Sequence, residues 1–413
     1  MLHRGTEERV AMEKTFEYRI YPNAGQQELL QKTFGCCRYV YNRVLAIRQE
    51  EHKAGQKAKG INSYITQIPQ WKKKEAPWLS EVDSMALQQS LRDLDKAYKN
   101  FFRSPGKVGF PKFKSKHAGR KSYRTNNVAV VDDRHVKLPK LGIVRARVSR
   151  PVEGRVLSAT LKQVPSGKYF VTICCTDVAD PATEAGDIAM LGIDAGVHDI
   201  ATCSNGARLE NPKHLAKGKK KLAREQRRLS RKQKGSANRA KQRVRVARVH
   251  ERVANQRKDA LHKFTTSAVR ESQAIAVEDL KVRPMLEGRS GCRKADRRMH
   301  AAIADASMGE LLRQIEYKCE WHRRSLVKVN PAGTSEACSS CGAVREMPLS
   351  RRVYRCPECG LVLDRDLNAA LNIAREGTRI LEGTVGHTGT AGLEPANACG
   401  AEVRPAPPQG AEG

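Results

Sequence analysis

Four cysteines stand in two close pairs, Cys338-x-x-Cys341 and Cys356-x-x-Cys359, with fourteen residues between the pairs. A CxxC pair folds into a tight knuckle that aims two thiolates at one ion. Gly342 and Gly360 follow the knuckles, where a positive φ is useful. Four thiolates close a tetrahedral Zn2+ site with bonds of about 2.3 Å and leave no position open for a substrate. The zinc is therefore expected to be structural. Four unrelated thiols, or a redox pair, are the weaker readings, because two such motifs recur at zinc-ribbon spacing.

Three carboxylates come next. Asp194 interrupts the apolar strand LGIDAG, Glu278 ends the apolar strand AIAVEDL, and Asp366 opens the helical LDRDLNAALNIA two residues before Asn368. An unpaired acid inside an apolar strand is unfavourable, so each position needs a reason. Singly, bland reasons serve best: Asp194 begins a turn with Gly196, Glu278-Asp279 ends a strand, Asp366 caps a helix. Together they resemble the metal-binding triad of an RNase H-like nuclease, in which two strands and a following helix supply the acids. Phosphodiester hydrolysis with two Mg2+ about 3.5–4 Å apart calls for such hard oxygen ligands.

The charge balance agrees with a polyanionic substrate. The 413 residues carry 76 Lys+Arg against 44 Asp+Glu, a net charge of +32. Nucleic acid is the expected partner, with an anionic membrane surface as the alternative. No run of 18 apolar residues exists, so no bilayer span is expected. The opening MLHRGTEERVAMEKTF lacks the apolar core of an export signal. The chain is expected inside the cell, with reduced thiols. The other eight of its twelve cysteines (Cys36, Cys37, Cys174, Cys175, Cys203, Cys292, Cys319, Cys399) are then small buried or incidental residues.

Residues 213–270 hold 21 Lys/Arg against Glu225, Glu251 and Asp259 alone. A solvated helix face would carry comparable acids, so phosphate contact is favoured, with Lys219, Lys220, Lys221, Arg227, Arg228, Arg231 and Lys232 as the candidates. A second segment interleaves Phe110, Phe113 and Tyr123 with Lys112, Lys114, Lys116, Lys121 and Arg124. Stacking surfaces beside cations suit irregular or single-stranded nucleic acid, and core packing of the aromatics is equally open.

These residues need elements to hold them. KTFEYRIYP alternates and stops at Pro22, which fits an edge strand. Helical spacing follows through Leu29, Phe34 and Tyr41, then through Leu87, Leu91, Leu94, Tyr98 and Phe101, closed by Ser104-Pro105-Gly106. Short β-branched runs from Val128 to Thr176 predict a small antiparallel sheet or barrel. Gly235-Ser236 should break the basic stretch into an antiparallel helix pair. From Gly377 the last 37 residues contain eight Gly and four Pro, which predicts a disordered tail.

LGIDAGVHDIATCSNG, IAVEDLKV, TSEACSSCG…YRCPECG and DRDLNAALNIA resemble, in that order, the signatures of the TnpB (OrfB) proteins of insertion sequences. FEYRIYPNAGQQELL…FGCCRYVYN, HVKLPKLGIVRAR and the tail GHTGTAG…EVRP are also similar, so the likeness runs from about Lys14 onward. The resemblance implies an RNA-guided, Mg2+-dependent DNA endonuclease of a mobile element, related to type V CRISPR effectors and formerly described as a transposase. It implies a transposon-derived guide RNA and target DNA as partners and no membrane partner, in the bacterial cytoplasm at the nucleoid; the chain works alone or paired, with a monomer favoured. It places the triad on Asp194, Glu278 and Asp366. Two departures from the family pattern, Gly333 and Lys281, do not touch these acids, though Gly333 is expected to loosen the docking of the ribbon.

The implied fold is multidomain, α+β and α/β. A disordered stretch 1–12 precedes a β-barrel wedge domain (13–35 and 123–182) interrupted by a helical recognition domain (36–122). An RNase H-like RuvC domain (183–376) follows, with the basic helical segment 213–270 and a zinc-ribbon insert at 331–362, and then the tail 377–413. Two other functions fit the residues: a non-catalytic zinc-ribbon regulator of transposition, and a transposase that joins DNA ends itself. An intact triad argues against the first, and hydrolysis without strand joining would exclude the second.

Overall fold

The computed structural model describes residues 13–57, 59–116, 121–178, 186–286, 293–348 and 351–385. Strand β1 (Lys14–Tyr21) alternates buried Phe16, Tyr18 and Ile20 with more exposed neighbours. Helix α1 (Ala24–Lys53) begins directly after it, closed by a capping box between Asn23 and Gln26. Short helices α2 (Ile61–Ile65) and α3 (Ile68–Lys74) lead to α4 (Ser84–Arg103), which Asp83 caps. Its Leu87, Leu91 and Leu94 are fully buried in a core that also holds Val44 and Leu45 of α1.

Six strands follow: β2 (Lys121–Thr125), β3 (Ala129–Asp132), β4 (His135–Leu138), β5 (Gly142–Arg147), β6 (Arg155–Gln163) and β7 (Tyr169–Thr176). With β1 they form a seven-stranded antiparallel sheet in the order β2-β6-β7-β1-β5-β4-β3. The edge position expected of β1 is thus corrected: it lies between β7 and β5. Pro22 comes after the last paired residue, Tyr21, so its missing N–H takes nothing from the ladder. The boundary expected at 35/36 falls inside α1, because one continuous core joins the sheet to α1 and α4.

A second sheet comprises β8 (Ile188–Asp194), β9 (Asp199–Cys203), β10 (Arg208–Glu210), β11 (Ser272–Glu278) and β12 (Ser325–Val329), in the order β10-β9-β8-β11-β12. β8, β11 and β12 run parallel, while β9 and β10 are antiparallel to their neighbours. Helices α5 (His214–Ser230) and α6 (Ala237–Glu271) separate β10 from β11. Helices α7 (Val282–Leu286), α8 (Arg293–Ala306) and α9 (Met308–Trp321) then lead to β12. On one face Leu191, Ile193, Ile275 and Val277 pack with Leu261, Ile303, Leu311 and Ile315. On the other, Ala276, Val327 and Val329 meet Ile373 of α10 (Arg365–Val385). Burial on both faces explains why β11 reads as an unbroken apolar run.

The basic stretch is indeed two packed helices. Gln242 Nε2 of α6 donates to the carbonyl and the carboxylate of Glu225 of α5, at 3.1 and 2.8 Å. Asp305 of α8 accepts from Leu215 N at the start of α5 (3.1 Å) and from Arg257 of α6 (2.8 Å). Glu251 of α6 ties the pair to the β6–β7 turn through Ser166 (3.1 Å) and Lys168 (2.8 Å).

The tail expected to be disordered from Gly377 is also corrected. α10 continues through Gly377 to Val385. A Cβ at Gly377 would lie 2.4 Å from the Ala276 Cβ, so this glycine brings the helix down onto β11 and does not break it. Residues 1–12 and 386–413, with Cys292 and Cys399, lie outside the described residues. Among the described residues no helix is long and apolar enough to cross a membrane.

Candidate functional site

Strand register brings two of the acids together. Val277 of β11 pairs with Ile193 of β8, so Glu278 and Asp194 sit side by side at the carboxyl ends of adjacent parallel strands. Side chains alternate across a sheet. Ile193 and Val277 point into the α6–α9 core, so Asp194 and Glu278 share the opposite face with Gly192 and Ala276. That face is covered by α10, whose first turn carries Asp366.

Electrostatics report the same convergence. Burial pushes the Asp194 carboxyl up to about 7, and the nearby charges of Glu278 and Asp366 add to the rise. Glu278 is also raised by burial, against the hydroxyl of Thr334, which donates to its Oε1 at 2.6 Å. Asp366 faces Arg352 Nη1 at 3.4 Å. The acids stand farther apart than the cysteines do: among the described residues, only the cysteine quartet brings three or more metal-ligating atoms within 4.8 Å of one another. Carboxylate oxygens gathered on a largely buried face, where burial disfavours their charged form, are the donor set a hard divalent cation suits.

The bland role proposed for Asp366 belongs to its neighbour. Asp364 Oδ1 accepts from the backbone N–H groups of Asp366 (3.0 Å) and Leu367 (3.1 Å), capping α10. Arg208 of β10 holds that cap at 3.0 Å and reaches the buried Asp199 at 3.4 Å. Asp366 is left free of the capping duty.

The cysteines lie between β12 and α10, around the short hairpin β13 (Val353–Arg355) and β14 (Val362–Asp364). Sγ atoms of Cys338 and Cys359 are 3.7 Å apart, and those of Cys341 and Cys356 are 3.5 Å apart. A tetrahedral ion with bonds of about 2.3 Å needs sulfurs about 3.8 Å apart, so the quartet fits zinc. Gly342 and Gly360 take φ of +81° and +73°, as the knuckles require. Burial opposes ionisation of Cys338, but backbone N–H groups of Cys341 and Ser340 and the neighbouring thiols outweigh it, holding that thiol down at about 6.

Sequence reasoning missed what docks this insert. Buried Asn368 and Asn372 of α10 both donate to the Ala337 carbonyl, at 2.8 and 2.7 Å, and Asn368 Oδ1 accepts from Ser339 N at 2.9 Å. Their four-residue spacing inside the otherwise apolar LNAALNIA was the available signal. Gly333, expected to loosen the docking, adopts φ +82° and accepts from the N–H groups of Glu336 and Ala337, a turn that a side chain would strain.

The cation candidates lie on different elements. Lys219, Lys220, Lys221, Arg227 and Arg228 are exposed along α5, with Arg231 and Lys232 exposed just beyond it, and Arg228 pairs with Glu225 at 3.2 Å. Lys112, Lys114 and Lys116 are exposed beside α1, where Asn42 exchanges two bonds with the Lys114 backbone and the Tyr41 ring lies 4.0 Å from its Nζ. Arg124 faces Asp93 at 3.9 Å. Tyr123 is corrected as a stacking platform: it is buried, edge-on to Phe34, because β2 turns it into the core. Phe110 and Phe113 remain exposed. Cys36, Cys37, Cys174, Cys175, Cys203 and Cys319 are buried.

A family model described as a probable transposase matches residues 172–289, a Cas12f1-like TNB domain matches 309–373, and a helix-turn-helix domain matches 12–57. The last stretch forms β1 and the single helix α1. A Streptomyces pristinaespiralis protein named "Putative RNA-guided DNA endonuclease" is 38% identical over 401 residues, covering 95% of this chain and 92% of that one. An Escherichia coli K12 protein with the same name and the suffix InsQ is 38% identical over 381 residues, covering 89% and 93%. In fold, the chain is similar to one in the cryo-EM structure of the Cas12f1–sgRNA–target DNA complex. That match has a TM-score of 0.52 and 15% identity, and it covers 88% of this chain and 99% of that one.

Proposed function

Because this chain belongs to the TnpB-like family, whose members include the two proteins named above as RNA-guided DNA endonucleases, we propose that it is itself an RNA-guided DNA endonuclease of a mobile element. The observation that carries the reading is the gathering of Asp194, Glu278 and Asp366 beneath the first turn of α10, at the carboxyl ends of β8 and β11. Ligand sites of open α/β sheets lie at that edge. The five-stranded sheet then serves as an RNase H-like (RuvC) core, and the seven-stranded sheet with its helices as the wedge and recognition parts.

Asp194, Glu278 and Asp366 would together hold Mg2+, two ions in all. Such ions, when bound, supply the positive charge that stabilises the attacking and leaving oxygens of a phosphodiester. The chain's own residues do the rest. Burial and the neighbouring acids raise the Asp194 carboxyl to about 7, so a bound cation would favour its ionised form. Asp364 and Arg208 fix the start of α10, and with it Asp366. Cys338, Cys341, Cys356 and Cys359 would hold one structural Zn2+, closing the insert without an open coordination position. The exposed cations of α5 would take phosphates of the guide RNA or of its duplex with target DNA.

The test is to express the full chain with the DNA that flanks its gene, sequence the RNA that copurifies, and challenge the complex with matched DNA. One enriched RNA ending in element-flanking sequence is expected, with EDTA-sensitive hydrolysis and no strand joining. Absence of an enriched RNA, or cutting that ignores the RNA sequence, would overturn the proposal.

A further inference from the structure

Thr334 stands in the segment that leads from β12 to Cys338. Its Oγ1 lies 2.6 Å from Glu278 Oε1 and 3.2 Å from the Pro331 carbonyl, so the carboxylate is the nearer acceptor of its single proton. Its own carbonyl accepts from Asn372 Nδ2 at 2.9 Å. A few residues on, Ala337 and Ser339 are tied to Asn368 and Asn372 as described above, and Ser335 Oγ accepts from Arg365 Nη2 at 3.3 Å. Residues 334–339, which include the first zinc-ligating cysteine, are thus laid along α10, the helix of Asp366. From there the Thr334 hydroxyl reaches β11.

The consequence is geometric. Glu278 ends its strand beside Asp194, a like charge on the neighbouring strand. A glutamate has three side-chain torsions, and once Asp194 is ionised, above its pKa of about 7, repulsion would favour turning the head away. A hydroxyl on Oε1 fixes the head and leaves Oε2 for another partner. Threonine is stiff at χ1, so the hydroxyl is itself held in place.

We infer that Thr334 is a positioning residue for Glu278, through which the cysteine ribbon sets the orientation of a carboxylate outside it. This rests on the reading of Glu278 as a metal ligand. Groups that hydrogen-bond to metal ligands typically contribute about 10–100-fold to metal affinity or activity. Thr334 is expected to act at the lower end, because Glu278 keeps its strand anchor.

The experiment compares Thr334→Val, Thr334→Ala and Thr334→Ser with the parent, all as full chains loaded with guide RNA. The Mg2+ dependence of target cleavage is read alongside zinc content, target binding and Mn2+ binding to the full chain by electron paramagnetic resonance. Thr334→Val and Thr334→Ala should keep zinc and target binding, need about tenfold more Mg2+ for half-maximal cleavage, and weaken Mn2+ binding about as much. Thr334→Ser should restore both within about threefold. If Thr334→Val sheds zinc, the contrast of Ala with Ser still separates the hydroxyl from packing. Parental Mg2+ and Mn2+ responses in the Ala variant, with Glu278→Ala inactive, would overturn the role of Thr334 alone. Parental cleavage by Glu278→Ala would overturn the underlying reading instead.

Discussion

A Cβ placed on Gly192 would lie 2.1 Å from the carbonyl oxygen of Ala370 and 2.5 Å from the backbone nitrogen of Ala374. Two residues before Asp194, β8 thus touches α10 backbone to backbone. The depth of Asp366 over the sheet is set by that close approach. Gly192→Ala is expected to lift α10, lower stability by about 1–3 kcal/mol and reduce cleavage far more than that loss alone explains. Thermal unfolding and a cleavage assay measure the two effects. Parental cleavage by a fully folded variant would show that the spacing is not critical.

Asp364 and Asp366 should separate cleanly. Asp366→Ala, like Asp194→Ala and Glu278→Ala, is expected to eliminate cleavage with target binding intact, and double variants should be scarcely worse than single ones. Asp364→Ala removes the cap and the Arg208 pair, costs about 1 kcal/mol of stability, and keeps substantial activity. An inactive Asp364 variant beside an active Asp366 variant would reverse the assignment.

Stability should depend on pH through Asp194. Its folded pKa of about 7 lies well above the ordinary carboxylate value. Between pH of about 4 and 7 the folded chain keeps a proton that the unfolded chain has released. Stability is therefore full below that window and declines as pH rises through it. In metal-free protein, Asp194→Asn should be about 2–4 kcal/mol more stable than the parent at pH 8 and nearly equal at pH 4. Urea unfolding at the two values decides, and a pH-independent difference would contradict the buried-charge account.

Zinc and magnesium should come away in stages. EDTA is expected to stop cleavage reversibly, while thiol-directed removal of about one zinc per chain should unfold the cysteine insert and stop cleavage with RNA binding retained. Metal analysis and circular dichroism follow both steps. A zinc-free chain that stays folded and active would remove the quartet from the metal assignment.

Neutralising Lys219, Lys220, Lys221, Arg227, Arg231 and Lys232 should weaken nucleic-acid binding at all sequences and flatten its salt dependence. On duplex DNA the log–log slope should fall by about 0.9 for each phosphate that is no longer neutralised. Arg228, already paired with Glu225, should matter less. Filter binding across a salt series reads the slope directly; an unchanged slope assigns these cations to solvent.

Local pattern carried much of this fold into view. The CxxC spacing, the acids at the ends of apolar runs and the break near Gly235 all depend on residues close in sequence. What stayed hidden is long-range. Thr334 meets Glu278 across 56 positions and Arg208 meets Asp364 from another sheet edge, and no periodicity marks either. The chain from Gly377 read as a disordered tail because its Gly and Pro content was legible and the contact of Gly377 with Ala276 was not. Tyr123 was ambiguous for a related reason: an aromatic among lysines reads as a platform until its strand is paired.

The order in which these parts occur along the chain has a bearing on biosynthesis. Asp194 and Glu278 leave the ribosome first, then the four cysteines, and Asp366 last of the group. At about 5–20 residues per second, the final acid trails Glu278 by roughly 4–18 s. A chain that stops before residue 365 contains the basic segments of α5 and α6 but lacks the helix that covers the two earlier acids. On the proposed function, cleavage would then await the last part of the chain to be made, Asp366 and the helix that carries it.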